Sequence, residues 1–317
     1  MRKMLVLVVA LVILLSGCGN VSETKEPVKS NAENIKPSSA DEDEVVHENE
    51  TDPMQEIYRL DILGEWGDGA SENKETDEWC YTVYKKEDIG CVHVYQYKGE
   101  NRDIVVPDSF DGYPVTAVLD PRMYTVMTYD PDLQSFTRSY DKKEITSIQF
   151  PDTVYKTYDD IFDDTVWYEN QPDGEVYIGN ILYKYKGEMP SGTTVNVKEG
   201  TLGICEIAFY DCGNLEKIIM PDSVIWLDDG VFRDCTALNE VQFSKNLMGM
   251  RMYVFDNTPN LTELYIPKSL CYSHKTLDRS SINTVYYEGS SVEWKMISGV
   301  IAIEKTFELK TEVPFPD

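Results

Sequence analysis

One interval recurs through the C-terminal half of the chain and limits the folds open to it. Leu215-Glu-Lys-Ile218-Ile-Met220-Pro221-Asp222-Ser223-Val224 is followed by Leu238-Asn-Glu-Val241-Gln-Phe243 and by Leu261-Thr-Glu-Leu264-Tyr-Ile266-Pro267, each 23 residues after the last. Phe209, Phe232 and Phe255 keep the same interval, Ala208, Val231 and Val254 precede them, and Cys212 and Cys235 follow the first two. Unrelated residue types sharing one period mark a stack of equivalent coils, because a unit this short cannot bury an apolar face alone. The phase extends outward to Thr194-Val195-Asn196-Val197 and Ile282-Asn-Thr-Val285-Tyr-Tyr287, and upstream to Ile145-Thr-Ser-Ile148-Gln-Phe150-Pro151-Asp152 and Ile104-Val-Val106-Pro107-Asp108.

Each unit reads as a short strand and a turn. Leu215, Ile218 and Met220 point inward and Lys217 and Ile219 outward, as strand alternation requires. Pro221 lacks an N–H and ends the strand, Asp222-Ser223 supplies the turn, and the chain returns through Val224 and Leu227. Stacked about 4.8 Å apart, such units bury the inward ladder and pile the phenylalanines into a column. Phe232 is therefore packing and not a site.

The set Ile207-Ala208-Phe209-Tyr-Asp-Cys212, Leu215-x-x-Ile218-x-Met220-Pro221-Asp222-Ser223-Val224 and Val231-Phe232-Arg-Asp-Cys235 resembles the BspA-type leucine-rich repeats of bacterial surface proteins, over residues 104–290. The resemblance implies a mainly β, irregular leucine-rich-repeat solenoid with coils of about 23 residues, an N-terminal β-hairpin cap and a β insertion, and adhesion or ligand capture at the cell surface. Residues 56–103 form the cap, with Tyr81–Tyr84 paired to Val92–Tyr97 through a turn at Lys86–Gly90; residues 291–317 form a C-terminal cap and tail. The pattern lapses at 119–143, which has no repeat signature, and at 167–190, whose tyrosines and Pro172-Asp173-Gly174 read as a β excursion.

Ahead of the array, Arg2 and Lys3 precede an apolar run from Met4 to Leu15 and then Leu15-Ser16-Gly17-Cys18. This resembles a bacterial lipoprotein signal, which implies removal of residues 1–17 and acylation of Cys18. The run would span only about 18 Å, against roughly 30 Å of hydrocarbon, so an uncleaved membrane helix is the poorer reading. Residues 18–55, including the acidic Asp41-Glu42-Asp43-Glu44, have no apolar periodicity and read as a disordered tether. The expected location is extracytoplasmic, lipid-anchored to the membrane of a bacterium.

The net charge of −27 excludes nucleic acid as a partner, since phosphate binding needs clustered Lys and Arg. His47, His93 and His274 are not placed by sequence to cooperate, no catalytic or nucleotide-binding motif is present, and neither an enzyme nor a cofactor is expected. No metal site is expected either: Asp159, Asp160, Asp163 and Asp164 lack the spacing of a calcium loop and read as a solvated acidic turn. Cys212 and Cys235 fall in equivalent places of adjacent coils, where a disulfide and two buried thiols are both open.

Recognition remains, and the outward strand positions supply its surface. Lys217, Ile219, Glu240, Gln242, Glu263, Tyr265 and Tyr286 form the candidate ligand-binding face, with Thr194, Asn196 and Thr284 alongside. Aromatic rings beside carboxylates suit a protein loop or a sugar ring. The expected function is a membrane-anchored lipoprotein whose array binds a protein or glycan; a structural envelope lipoprotein and a carbohydrate-capture protein serving an uptake system are the alternatives.

Overall fold

The computed structural model describes residues 52–64, 71–119, 126–130, 135–139, 145–158, 161–299, 301 and 306–316. Residues 1–17, Cys18, His47, the acidic run, Asp159 and Asp160 lie outside the described residues. The chain separates into Met1–Asn49 and Glu50–Asp317, and the described residues belong to the second unit.

That unit is mainly β, a solenoid of coils of about 23 residues. Its coils feed two parallel ladders. In the front ladder, Thr193–Asn196, Leu215–Ile219 and Glu240–Gln242 pair in order, with Lys217 opposite Glu240 and Ile219 opposite Gln242. Glu263–Ile266, Thr284–Tyr287 and Glu308–Lys310 form a second run of the same kind, and Asp103–Val105 pairs with Ser147–Gln149 upstream. In the rear ladder, Ile181–Lys186, Gly203–Ile204, Trp226–Leu227, Gly249–Met250 and Tyr272–Ser273 pair without interruption.

Between the ladders lies the expected column. Phe209, Phe232 and Phe255 are fully buried, with ring centroids 5.8 Å apart at each step and planes within 23°. Tyr185 continues it upstream at 6.3 Å, and the buried Leu277 follows Phe255 where the aromatic is lost. Cys212 and Cys235 are separate thiols and not a disulfide, and Cys235 donates to the Phe209 carbonyl at 3.1 Å, which resolves the choice left open between them.

Polar joins repeat with the coils. Asp222 Oδ1 accepts from the Lys245 N–H, Asp229 Oδ1 from the Met252 N–H, and Asp234 Oδ1 from Asn257 Nδ2, each across 23 residues. The backbone turns through positive φ at Ile207, Gly230 and Tyr253, and again at Asp211, Asp234 and Asn257, so two left-handed corners recur per coil.

Several expectations need revision. The alternation predicted for Leu215 to Met220 is interrupted: pairing steps from Thr193↔Leu215 to Thr194↔Lys217, leaving Glu216 as a bulged residue, so Leu215 and Ile218 both face inward although three apart. The hairpin Trp79–Lys86/Ile89–Tyr97 is present but carries a third strand, Ser71–Glu75, and Ile89–Tyr97 pairs in parallel with Tyr113–Val118, which in turn pairs with Lys156–Thr157. Residues 167–190 are not wholly an excursion. They follow the start of a short helix, α1 of the repeat region at Val166–Glu169, and include the hairpin Gly174–Ile178/Ile181–Lys186, whose second strand enters the rear ladder. In 119–143 only the antiparallel pair Val126–Asp130/Ser135–Ser139 is described beyond residue 119.

The helix Pro53–Leu63, hereafter the lid helix, begins inside the stretch read as tether and was not anticipated. Asp52 caps it through the Met54 N–H, Pro53 opens its first turn, and Gly64 closes it in the left-handed region. Its Tyr58 and Ile62 pack with Tyr155, Ile225, Trp226 and Met248 on the outer side of the rear ladder. Residues 203, 226, 249 and 272 occupy one register of that ladder, reading Gly, Trp, Gly, Tyr. A Cβ at Gly249 would fall on the Trp226 ring and 3.2 Å from Ile62 Cγ2; the missing side chain lets Trp226 and Tyr272 stack at 6.0 Å beneath the lid helix.

Candidate functional site

The front ladder exposes the side chains that its strands turn away from the phenylalanine column. Register sets their neighbours: Lys217 stands opposite Glu240 and the two pair at 2.7 Å, and Tyr265 stands opposite Tyr286 with the rings stacked at 4.5 Å and only 10° apart. Lys310, one strand further, lies 4.8 Å from the Tyr286 ring centre and donates to its hydroxyl at 3.4 Å. That hydrogen bond raises the Lys310 ammonium above its ordinary pKa. The Tyr286 hydroxyl also reaches Glu263 Oε1 at 3.5 Å. Tyr286 is thus covered by Tyr265 on one side and by an ammonium on the other, and of the two rings it is Tyr265 that lines a cavity.

That cavity exists because the front ladder is interrupted. Glu240–Gln242 and Glu263–Ile266 belong to separate sheets, whereas the rear strands of the same coils, Gly249–Met250 and Tyr272–Ser273, are paired. Phe243 ends the strand before the gap, where the equivalent residues of adjacent coils are Met220 and Ile266, and it meets Phe255 edge-on at 6.3 Å. The opening holds a cavity of about 410 Å³ lined by Lys217, Glu240, Val241, Gln242, Phe243, Tyr265, Phe315 and Pro316. A neighbouring one of about 340 Å³ includes Ile219, Gln242, Phe243, Phe315 and Pro316 in its wall.

Of the seven sequence-derived candidates, Lys217, Glu240, Gln242 and Tyr265 therefore share one cavity, Ile219 borders the next, and Glu263 and Tyr286 stand behind Tyr265. Thr284, placed alongside them, is buried. Phe315, Pro316 and Lys310 were missed. The available signal was a lone aromatic residue between Pro314 and Pro316 in a polar tail, which no repeat position explains. Chemically the site is a slot with aromatic groups from Tyr265 and Phe315, an ion pair at its rim and the amide of Gln242. It can hold a flat apolar group and hydrogen-bond its edge.

The BspA type Leucine rich repeat region matches this chain in six copies over residues 187–284. No curated protein matches it. Solved structures similar to it include a leucine rich cell surface protein from Faecalibacterium prausnitzii A2-165, at 15% identity over 72% of this chain and 97% of that one, with a TM-score of 0.34. The pneumococcal vaccine antigen PcpA is similar at 12% identity over 76% of this chain and 93% of that one, with a TM-score of 0.33. A leucine rich repeat protein from T. pallidum is similar at 15% identity over 68% and 71%, with a TM-score of 0.28.

Proposed function

From a chain whose residues 187–284 are a BspA-type leucine-rich repeat region, we propose a surface protein that captures a protein or glycan ligand on its front ladder. Repeat proteins of this kind are in general bacterial surface proteins that bind or scaffold and do not catalyse. The observation that carries the reading is the slot between Tyr265 and Phe315, with Lys217, Glu240 and Gln242 at its wall. A sugar ring or an aromatic side chain of a protein loop has the flat face and polar edge that such a slot accepts. The paired charges Lys217 and Glu240 favour the competing reading, a structural envelope protein without an external ligand, because they satisfy each other.

Attachment is part of the proposal. Among the described residues no helix is long and apolar enough to cross a membrane. Acyl groups on Cys18, each buried CH₂ worth about 0.8 kcal/mol, would hold the chain outside the cell. Metabolic fatty-acid labelling should mark the parent chain and leave Cys18→Ala unlabelled; equal labelling excludes this anchor.

The binding test compares the parent chain with a Tyr265→Ala/Tyr286→Ala variant on a glycan array and on immobilised matrix proteins. A loss of about 2 kcal/mol, or roughly thirtyfold in affinity, is expected for the ligand that binds. Unchanged binding removes the front ladder as the site, and capture only of envelope components from the producing cell favours the structural reading.

A further inference from the structure

Asp61, Cys91 and His93 form, among the described residues, the one group of potential metal ligands whose donor atoms all lie within 4.8 Å of one another. Local structure makes them converge. Cys91 and His93 are two residues apart on the strand Ile89–Tyr97 and so share a face, and Asp61 descends on them from the last turn of the lid helix. Cys91 is fully buried, and the side chains of Asp61 and His93 are 3% and 16% exposed.

The surroundings are those of a prepared polar site. His93 Nε2 stands 2.8 and 3.0 Å from the two Asp61 oxygens, and the hydroxyls of Thr116 and Tyr155 donate to Asp61 Oδ2 at 2.9 and 3.2 Å. The Tyr84 ring packs beside the imidazole at 4.6 Å. Burial alone would push the Asp61 carboxyl up, but His93 and Thr116 outweigh it and hold the group below its ordinary range. Asp61, His93, Thr116 and Tyr155 tie helix to sheet, and the Cys91 thiol stands at the same point, hydrogen-bonded with Asp61 and Thr116.

We propose that Asp61, Cys91 and His93 bind a divalent transition-metal ion, with zinc the best match to the donors. A thiolate and an imidazole disfavour magnesium and calcium, and the mixed oxygen, nitrogen and sulfur set suits a d¹⁰ ion without geometric demands. Charge balance agrees: a dication with one carboxylate, one thiolate and a neutral imidazole sums to zero, so little net charge is buried. The Cys91 proton leaves to solvent as the S–metal bond forms. Tetrahedral zinc sets its ligand atoms about 3.5 Å apart, inside the observed spread, so small side-chain movements complete the site. Thr116 and Tyr155 already orient the carboxylate as outer partners do in metal sites. Three protein ligands leave the fourth position to a solvent oxygen, which enters where His93 keeps its residual exposure. The sequence offered no paired-cysteine spacing here, and Asp61 lies 32 residues from His93.

Cobalt substitution tests this on the full chain, reduced and stripped with a chelator. The parent should take up a single Co²⁺ with a strong thiolate charge-transfer band, which Zn²⁺ abolishes. Cys91→Ser should lose the band and Cys212→Ser should keep it. His93→Gln retains a donor for Asp61, so its circular dichroism should match the parent while zinc affinity, read by competition with a chromophoric chelator, falls at least roughly tenfold. No charge-transfer band in the parent, a band surviving in Cys91→Ser, or undiminished zinc affinity in His93→Gln overturns the proposal.

Discussion

The front and rear ladders are drawn from the same coils and behave differently. The rear ladder runs unbroken from Ile181 to Ser273, fits rings over glycines and is roofed by the lid helix. The front ladder stops between Gln242 and Glu263 and presents Lys217, Glu240 and Tyr265 around an open slot. Since both ladders share one phenylalanine column, the interruption is a wedge: two coils stay in contact behind and part in front. Regular packing inside the column leaves the strand surfaces free to diverge, one toward tight burial and the other toward an accessible concavity.

The comparison can be broken most severely at its shared element. Phe232→Ala should cost about 3–5 kcal/mol and lower the denaturant midpoint for the whole repeat region, whereas Tyr265→Ala on the front face should cost under about 1 kcal/mol. Equal losses would mean that the column does not hold the ladders together. Next in size, Gly249→Ala places a methyl group on Trp226 and against Ile62; a cost of about 1–3 kcal/mol is expected, with proteolysis of the lid helix accelerated. An unaltered cleavage rate would separate the helix from the rear ladder.

Hydrogen exchange sharpens the contrast further. The carbonyls of Thr262 and Ile266 accept from Asn283 and Glu288, so strand alternation turns the Tyr265 amide toward the interruption. It should exchange at least about tenfold faster than the amide of its ladder partner Tyr286, and Phe243→Ile should narrow that ratio if the larger ring keeps the wedge open. The smallest effect concerns a corner. Ile207 is β-branched and holds φ at 46°, where Gly230 stands one coil later; Ile207→Gly should stabilise by about 0.5–1 kcal/mol, seen as a higher Tm.

What was readable in advance follows the range of the interactions. Phe209, Phe232 and Phe255 are in phase in the sequence because each contacts its own equivalent, so the column and the outward ladder positions could be derived from spacing. The slot could be derived only in part: Lys217, Glu240 and Tyr265 are outward strand positions that the period predicts, but Phe315 reaches them from a distant part of the chain, outside any period. The lid helix was lost because its apolar face answers to Trp226 and Met248, far along the chain. His93 looked isolated for the same reason, its partner Asp61 lying on another element.

The joins at Asp222, Asp229 and Asp234, each reaching a residue one period away, bear on how such a protein changes over generations. A duplicated gene segment encoding a whole coil would meet, on both sides, surfaces that already fit, and would lengthen the array by about 4.8 Å. A fractional insertion would throw every later corner out of step. Reach is thus a trait that recombination can adjust in increments, without inventing a new contact.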